Sequence, residues 1–94
     1  MTTIEDELLE NILDALDRLF DREMYVIDLL ALLFATAEAL RTTRHYEELL
    51  NPTNELREVV RSGATRDAQR DRALHITDKL RHYLADVCKS PEST

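Results

Sequence analysis

The 94-residue chain has little of what sheets, tight turns and disulfide scaffolds require. It contains one Gly, two Pro, one Cys and no Trp, and only 5% of its residues are aromatic. Because β-turns and bulges depend on Gly and Pro, this composition favours uninterrupted helices over sheet. A lone Cys88 cannot form an internal disulfide, and a single glycine cannot build a Gly-rich phosphate loop.

Long hydrophobic runs are also missing. The longest apolar stretch, residues 24–40, is interrupted by two acids and a threonine. It falls short of the roughly 20 apolar residues that a bilayer-spanning helix needs, so no membrane association is expected. The first four residues run directly into acids instead of forming a cationic, apolar leader, which makes the cytoplasm the expected compartment.

Capping residues and apolar periodicity predict the first two helices. Thr2 and Glu5 have the spacing of a capping box, which predicts a helix over about Ile4–Phe20. Asp21 is expected to cap a second helix over about 22–42, since a short polar side chain satisfies the free N–H groups of a first turn. The second helix is so apolar that burial on several sides is expected.

The second half of the chain predicts two further helices. Asn51 followed by Pro52 predicts the start of a short third helix that ends at Gly63, because proline suits the first helical position. Thr65 is expected to cap a fourth helix over about 66–88. Residues 43–50 are interpreted as a break or kink between the second and third helices.

These elements predict an all-α fold, a small antiparallel bundle of three to four helices. Residues 1–89 are expected to form a single helical bundle domain, because no linker divides them, and residues 90–94 a disordered C-terminal tail. Four short helices are not expected to cover the whole second helix, on which Val26, Leu30 and Phe34 share an apolar side.

The charge is strongly asymmetric along the chain. Residues 1–28 contain nine acids and two arginines, a balance of −7, whereas the remaining residues carry ten acids and ten bases. Successive spacings of four, four, three and four align five of these acids on one side of the first helix. We call this row the acidic stripe: Asp6, Glu10, Asp14, Asp17 and Asp21.

A one-signed row of this kind either is ordinary solvated surface or steers a basic partner protein. A pI near 4.8 argues against nucleic acid, because phosphates would be repelled. The only basic cluster is interleaved with acids, which favours pairing within the helices: Arg57, Arg61, Arg66, Arg70 and Arg72.

Residue patterns typical of catalysis are scarce, so no enzyme, metal or cofactor is predicted. His75 and His82 lie seven residues apart, about 10 Å along a helix, which is too far to share one metal ion. Asp78 and His82 are interpreted instead as neighbours on a solvent-facing side. Cys88 lies near a helix end without an evident oxyanion hole, and is interpreted as packed or incidental.

A second candidate contact is the segment that follows the second helix. Tyr46 precedes Glu47 and Glu48, and an aromatic ring beside carboxylates is typical of an anchor for a basic partner. The alternative is that Tyr46 packs over the end of the core with its hydroxyl in water. Both interpretations stay open at the level of sequence.

A small, acidic, helical chain with a one-sided carboxylate row resembles the immunity proteins that neutralise bacterial toxins of the colicin and contact-dependent inhibition type. The resemblance rests on Asp14, Asp17, Asp21 and the 45–48 stretch, while the Asp-Tyr-Tyr type anchor of the nuclease-colicin immunity proteins is absent. It implies inhibition of a basic toxin domain, often a nuclease, by direct binding. The alternative is a self-associating bundle, a homodimer through the second helix, that acts as a structural or regulatory adaptor.

Overall fold

A computed structural model describes residues 3–89, which form four α-helices and no strand. The predicted all-α bundle is therefore confirmed for this part of the chain. The predictions made for Thr2 and for the 90–94 tail lie outside the described residues. The helices are α1 (Ile4–Phe20), α2 (Val26–Ala39), α3 (Tyr46–Arg61) and α4 (Arg66–Lys89).

The helices form an elongated up-and-down bundle of about 43 × 26 × 18 Å. Each helix packs against its neighbours in sequence, and α4 closes the bundle against α1. The antiparallel course of α1 and α4 is shown by Arg81, which reaches Asp17, and by Arg70, which reaches the last turn of α1. Antiparallel neighbours are the outcome that short connections impose on sequential helices.

The start of α1 is a capping box, one residue later than predicted. The Asp6 amide donates to Thr3 Oγ1 at 3.0 Å, and the Thr3 amide donates to the Asp6 carboxylate at 3.5 Å. Thr2 and Thr3 have the same chemistry, so spacing alone could not separate them. Asp6, the first member of the acidic stripe, thus helps to form the helix that carries it.

The prediction that Asp21 begins the second helix is wrong, because Asp21 is the C-cap of α1. Arg22 follows with a φ of 65°, and the Glu23 amide donates to the Arg18 carbonyl at 2.8 Å. This is a Schellman ending in which Arg22 occupies the left-handed position that usually holds glycine. Without a glycine the sequence carried no stop signal, and α2 starts only at Val26.

The prediction that α3 starts at Asn51 is also wrong. The Thr43 hydroxyl donates to the Leu40 carbonyl at 2.8 Å and accepts from the His45 amide, a local turn that competes with helix and separates α2 from α3. Helix α3 then begins at Tyr46 and carries Pro52 in its interior, where the ring is buried. The predicted break is therefore real, but it covers residues 40–45 instead of 43–50, because α2 ends at Ala39 and not at about 42.

The last connection follows the prediction. Gly63 has a φ of 74° and terminates the α3 end, and the Thr65 hydroxyl accepts from the Ala68 amide at 3.2 Å to cap α4. Helix α4 extends one residue beyond the predicted end, to Lys89.

The core is built mainly from leucines of all four helices. Helix α2 buries only its inner side, through Leu29, Leu33 and Ala37, and so contradicts the expected burial on several sides. The fully buried leucines are Leu9, Leu16, Leu19, Leu29, Leu33, Leu49, Leu56 and Leu84.

Candidate functional site

Three of the five acidic-stripe residues have partners within the protein. Asp6 belongs to the capping box, Asp14 pairs with Arg18 at 3.2 Å, and Asp17 pairs with Arg81 of α4 at 2.7 Å. Pairs this exposed contribute only about 0–1 kcal/mol each, so these carboxylates stay accessible to a partner.

The other two stripe residues, Glu10 and Asp21, are exposed and have no salt bridge within residues 3–89. Glu10 lies beside the C-terminal end of α4, where burial first, and then the charges of Glu10 and Asp6, raise the pKa of the Cys88 thiol. Asp21 lies at the other end of α1, about 22 Å from Asp6 at 1.5 Å per residue. The stripe is thus a long row rather than a compact patch.

A cluster that sequence reasoning missed lies at the Asp6 end. His45 is 2% exposed, its Nε2 lies 2.9 Å from Glu5 Oε1, and its Nδ1 lies 2.5 Å from the Tyr83 hydroxyl. One tautomer satisfies both contacts: Nε2–H donates to the carboxylate while the phenol donates to Nδ1. The cluster connects α1, the start of α3 and α4, which only the fold brings together.

A carboxylate, an imidazole and a hydroxyl in a row have the order of a nucleophilic triad. In this cluster burial raises the pKa of Tyr83, the charge of Arg44 lowers it by less, and the charges of Glu48 and Glu5 raise it further. The contacts shown are those of a connection between three elements of the bundle.

The Tyr46 segment lies at this same end of the bundle. Tyr46 is half-buried and packs against the core, Glu48 is half-buried, and Glu47 is exposed. The ring is thus packed against the core, and the role of Tyr46 as an anchor stays a prediction. The contact between Glu5 and His45 places this segment at the first turn of α1, the end of the acidic stripe opposite Asp21.

A run of exposed apolar residues lies on the outer side of α2. Ile27 is 56% exposed and Phe34 is 49% exposed, and the half-buried Leu30 and exposed Ala31 lie between them at helical spacing. These four residues share one side of the helix and form what we call the α2 strip: Ile27, Leu30, Ala31 and Phe34.

Guanidinium groups lie over the exposed aromatic rings that border the α2 strip. Arg66 lies 4.1 Å from the centre of the Tyr25 ring. At the other end, Arg57 lies 6.0 Å from the centre of the Phe34 ring. In a third pair, at the end of α1, Arg70 lies 5.9 Å from the centre of the Phe20 ring. Cation–π contacts of this kind hold both partners in place.

The sequence predicted that the arginines of the basic cluster pair within their helices, and the structure shows this for only some of them. Arg61 does pair with Glu58 of α3 at 3.5 Å. Arg70 pairs with Asp71 of its own helix at 3.7 Å, and it also donates to the carbonyls of Leu19 and Phe20 at the C-terminus of α1. Arg57 and Arg66 lie over rings and make no salt bridge within residues 3–89.

Two shallow clefts connect these features into one surface. The first cleft is lined by Tyr25, Ile27, Arg66 and Arg70, among others, and the second by the α2 strip and Arg57. Ile27 lines both, so the surface is continuous from the start of α2 to Phe34. Its lining holds four arginines and one aspartate, a balance of +3.

The α4 histidines are not brought together. His82 Nδ1 lies 3.8 Å from the Asp78 carboxylate, the neighbour contact that the spacing predicted, and His75 is exposed elsewhere on α4. Within residues 3–89 no three His, Cys, Asp or Glu side chains are grouped to hold a metal ion. None of the helices in this range is long and apolar enough to cross a membrane.

Comparison with known proteins found no matching protein family, no similar curated protein and no similar solved structure. Function is therefore argued from two exposed surfaces: the acidic stripe of α1, and the α2 strip with its arginines.

Proposed function

We propose that this protein acts by binding another protein, and that its principal contact surface is the α2 strip. The observation that supports this is the exposure of Ile27 and Phe34 on the same side of one helix, whereas the exposed Ile4 and Phe20 stand apart at the two ends of α1. Single exposed apolar residues are common, but a contiguous apolar side on one helix, bordered by charged residues, is typical of interaction sites.

The energetics favour the same surface. Covering apolar area stabilises a complex by about 25 cal/mol per Å². Phe34 also has the character of an interface anchor, because an aromatic ring brings large contact area and few rotatable bonds. The inner side of α2 already fills the core, so contact through the outer side requires no rearrangement of the bundle.

Site-specific photo-crosslinking in cells that make the protein tests the proposal. A photoreactive phenylalanine analogue replaces Phe34 in one variant and Asn54 in another, since Asn54 is exposed on α3 away from the strip, in a cleft with Lys79 and Leu80. We expect a discrete crosslinked protein from position 34 and none from position 54. Equal crosslinking from both positions, or none from position 34, would contradict the proposal.

The acidic stripe supports a second candidate, inhibition of a basic toxin domain in the manner of an immunity protein. The specific observation in its favour is that Glu10 and Asp21 are exposed and make no salt bridge within the described residues. A row of this sign would accelerate association with a basic partner. The same photoreactive residue at position 10 tests it: capture of a basic protein there, and not at position 34, would favour the stripe.

A further inference from the structure

We propose that the α2 strip accepts an amphipathic helix that carries carboxylates on the flanks of its apolar side. This inference rests on the proposed function and specifies the chemistry of the partner. The proposed partner is therefore acidic at the contact, although the overall charge of −7 would suggest a basic partner.

Two arginines lie at the ends of the strip. Arg57 and Arg66 make no salt bridge within residues 3–89, yet each is positioned over an aromatic ring. A guanidinium held in this way keeps its planar row of N–H donors free for a carboxylate. Because stacking has already restricted the side chain, less rotamer entropy is lost when a partner binds.

The spacing of these arginines describes the partner. Arg66 lies over Tyr25 and Arg57 over Phe34, and these two ring-bearing residues are nine positions apart in sequence, about 13 Å along a helix at 1.5 Å per residue. A helix lying along the strip would meet both guanidinium groups with carboxylates placed two to three turns apart, roughly 8–11 residues. Between them its apolar residues would meet Ile27 and Ala31, where the small alanine permits close approach.

A second copy of the chain fits this surface poorly. In a two-fold symmetric dimer the same patch comes from both subunits. If the two α2 helices run antiparallel, Arg57 meets the partner's Arg66, and if they run parallel, each arginine meets its own copy. Like charges brought together in an interface oppose association. The charge of the surface therefore selects an acidic partner over a homodimer.

Binding to model peptides tests the inference. Three labelled helical peptides of about 18 residues share one leucine side and differ only in the flanking residues, which are Glu, Gln or Lys. We expect the Glu peptide to bind about tenfold more tightly than the Lys peptide in fluorescence anisotropy, with the Gln peptide between them. Raising the salt concentration should reduce the difference, because screening weakens the contacts with arginine.

Variants locate the interaction. The double change Arg57→Gln and Arg66→Gln should remove the preference for the Glu peptide while leaving apolar binding, and Phe34→Ser should weaken all three peptides. Arg72→Gln is the matched control, because Arg72 is exposed on α4 in a different cleft, with His75 and Glu58. Thermal unfolding of each variant shows whether the bundle is intact.

Three results would overturn the inference: equal or tighter binding of the Lys peptide, no binding of any peptide, or a dimer in sedimentation that Phe34→Ser dissociates. These outcomes are distinct from failure of the proposed function. That proposal fails when position 34 captures no protein in cells, whereas this one fails on the charge that the surface prefers.

Discussion

Helices α1 and α2 are neighbours in the bundle and expose opposite kinds of surface. The outer side of α1 carries the acidic stripe, and three of its five carboxylates have a cap or a basic neighbour within the protein. The outer side of α2 carries the apolar strip, on which Ile27 and Phe34 are each about half exposed within residues 3–89. A row of charges that is prominent in the sequence can thus be partly engaged within the fold, while an apolar surface that is less prominent in the sequence remains exposed.

The two surfaces also differ in the partner that each would accept. The first 28 residues carry a balance of −7, whereas the residues that line the clefts around the α2 strip carry +3. A basic partner would select α1 and an acidic partner would select the strip. The net charge of a protein therefore does not predict the charge of its partner when the charges are segregated on different helices.

The largest expected effect is a difference in stability between substitutions on the inner side and on the outer side of α2. Leu33 is fully buried while its neighbour Phe34 is half exposed, so Leu33→Ala should lower the free energy of unfolding by about 2–5 kcal/mol. Phe34→Ala should lower it by less, about 1–2 kcal/mol, because about half of this residue is exposed to solvent already. Urea unfolding measures both. Similar losses at the two positions would mean that the strip is part of the core and not a contact surface.

A smaller effect tests how much the contact of Tyr83 with His45, which also contacts Glu5 of α1, contributes to stability. Tyr83→Phe removes the hydroxyl that contacts His45, and with it the link toward Glu5, at a cost of about 0.5–1.5 kcal/mol. Because burial raises the pKa of Tyr83 from its ordinary value of 10.0, the folded protein holds this proton at higher pH than the unfolded chain does. The resulting stability is present below pH 10 and is lost as the pH rises through the folded pKa.

The pH dependence gives this prediction its control. The free energy of unfolding of the native protein should fall with rising pH above about 10, and Tyr83→Phe should lack that part of the slope. Tyr25→Phe, at an exposed position, should retain it. An unchanged slope in Tyr83→Phe would show that the phenol is not coupled to folding.

Much of the fold was predictable from local chemistry. The limits of α1 and α4 follow from capping residues and apolar periodicity, which act within a few neighbours along the chain. The errors occur where a signal was missing or ambiguous. Arg22 ends α1 in a position that usually requires glycine, and the Thr43 turn, not Pro52, decides where α3 begins.

The candidate surfaces were less predictable, because they depend on contacts between distant residues. The His45 cluster joins residues 5, 45 and 83, and the arginines over Tyr25 and Phe34 come from α4 and α3. Nothing in the local pattern identifies such partners. The one usable signal was the excess of apolar residues on α2, which predicted exposure for Phe34 but also, wrongly, for the buried Val26.

The pairing between α1 and α4 tests how far the acidic stripe is neutralised. A double-mutant cycle of Asp17→Asn and Arg81→Gln should give a coupling energy of about 0.2–1 kcal/mol, since the pair is close but partly exposed. Added salt should reduce the coupling, because the two side chains face solvent. A coupling near zero would mean that Arg81 does not neutralise Asp17. The acidic stripe would then have more carboxylates available for a partner.

The smallest effect should have the opposite sign. Glu10 lies four residues from both Asp6 and Asp14 and has no salt bridge within residues 3–89, so Glu10→Gln should raise the free energy of unfolding by a few tenths of a kcal/mol, roughly, as repulsion is relieved. Asp14→Asn is the matched control and should gain less, because it also removes the pair with Arg18. The same Glu10 change should lower the pKa of Cys88 slightly, since Glu10 adds to the effect of burial on that thiol, and alkylation rates across pH would show the shift. Loss of stability in Glu10→Gln would mean that this carboxylate makes a stabilising contact within the fold. Asp21 would then be the one stripe carboxylate without such a contact among residues 3–89, and the case for the acidic stripe as a binding surface would be weaker.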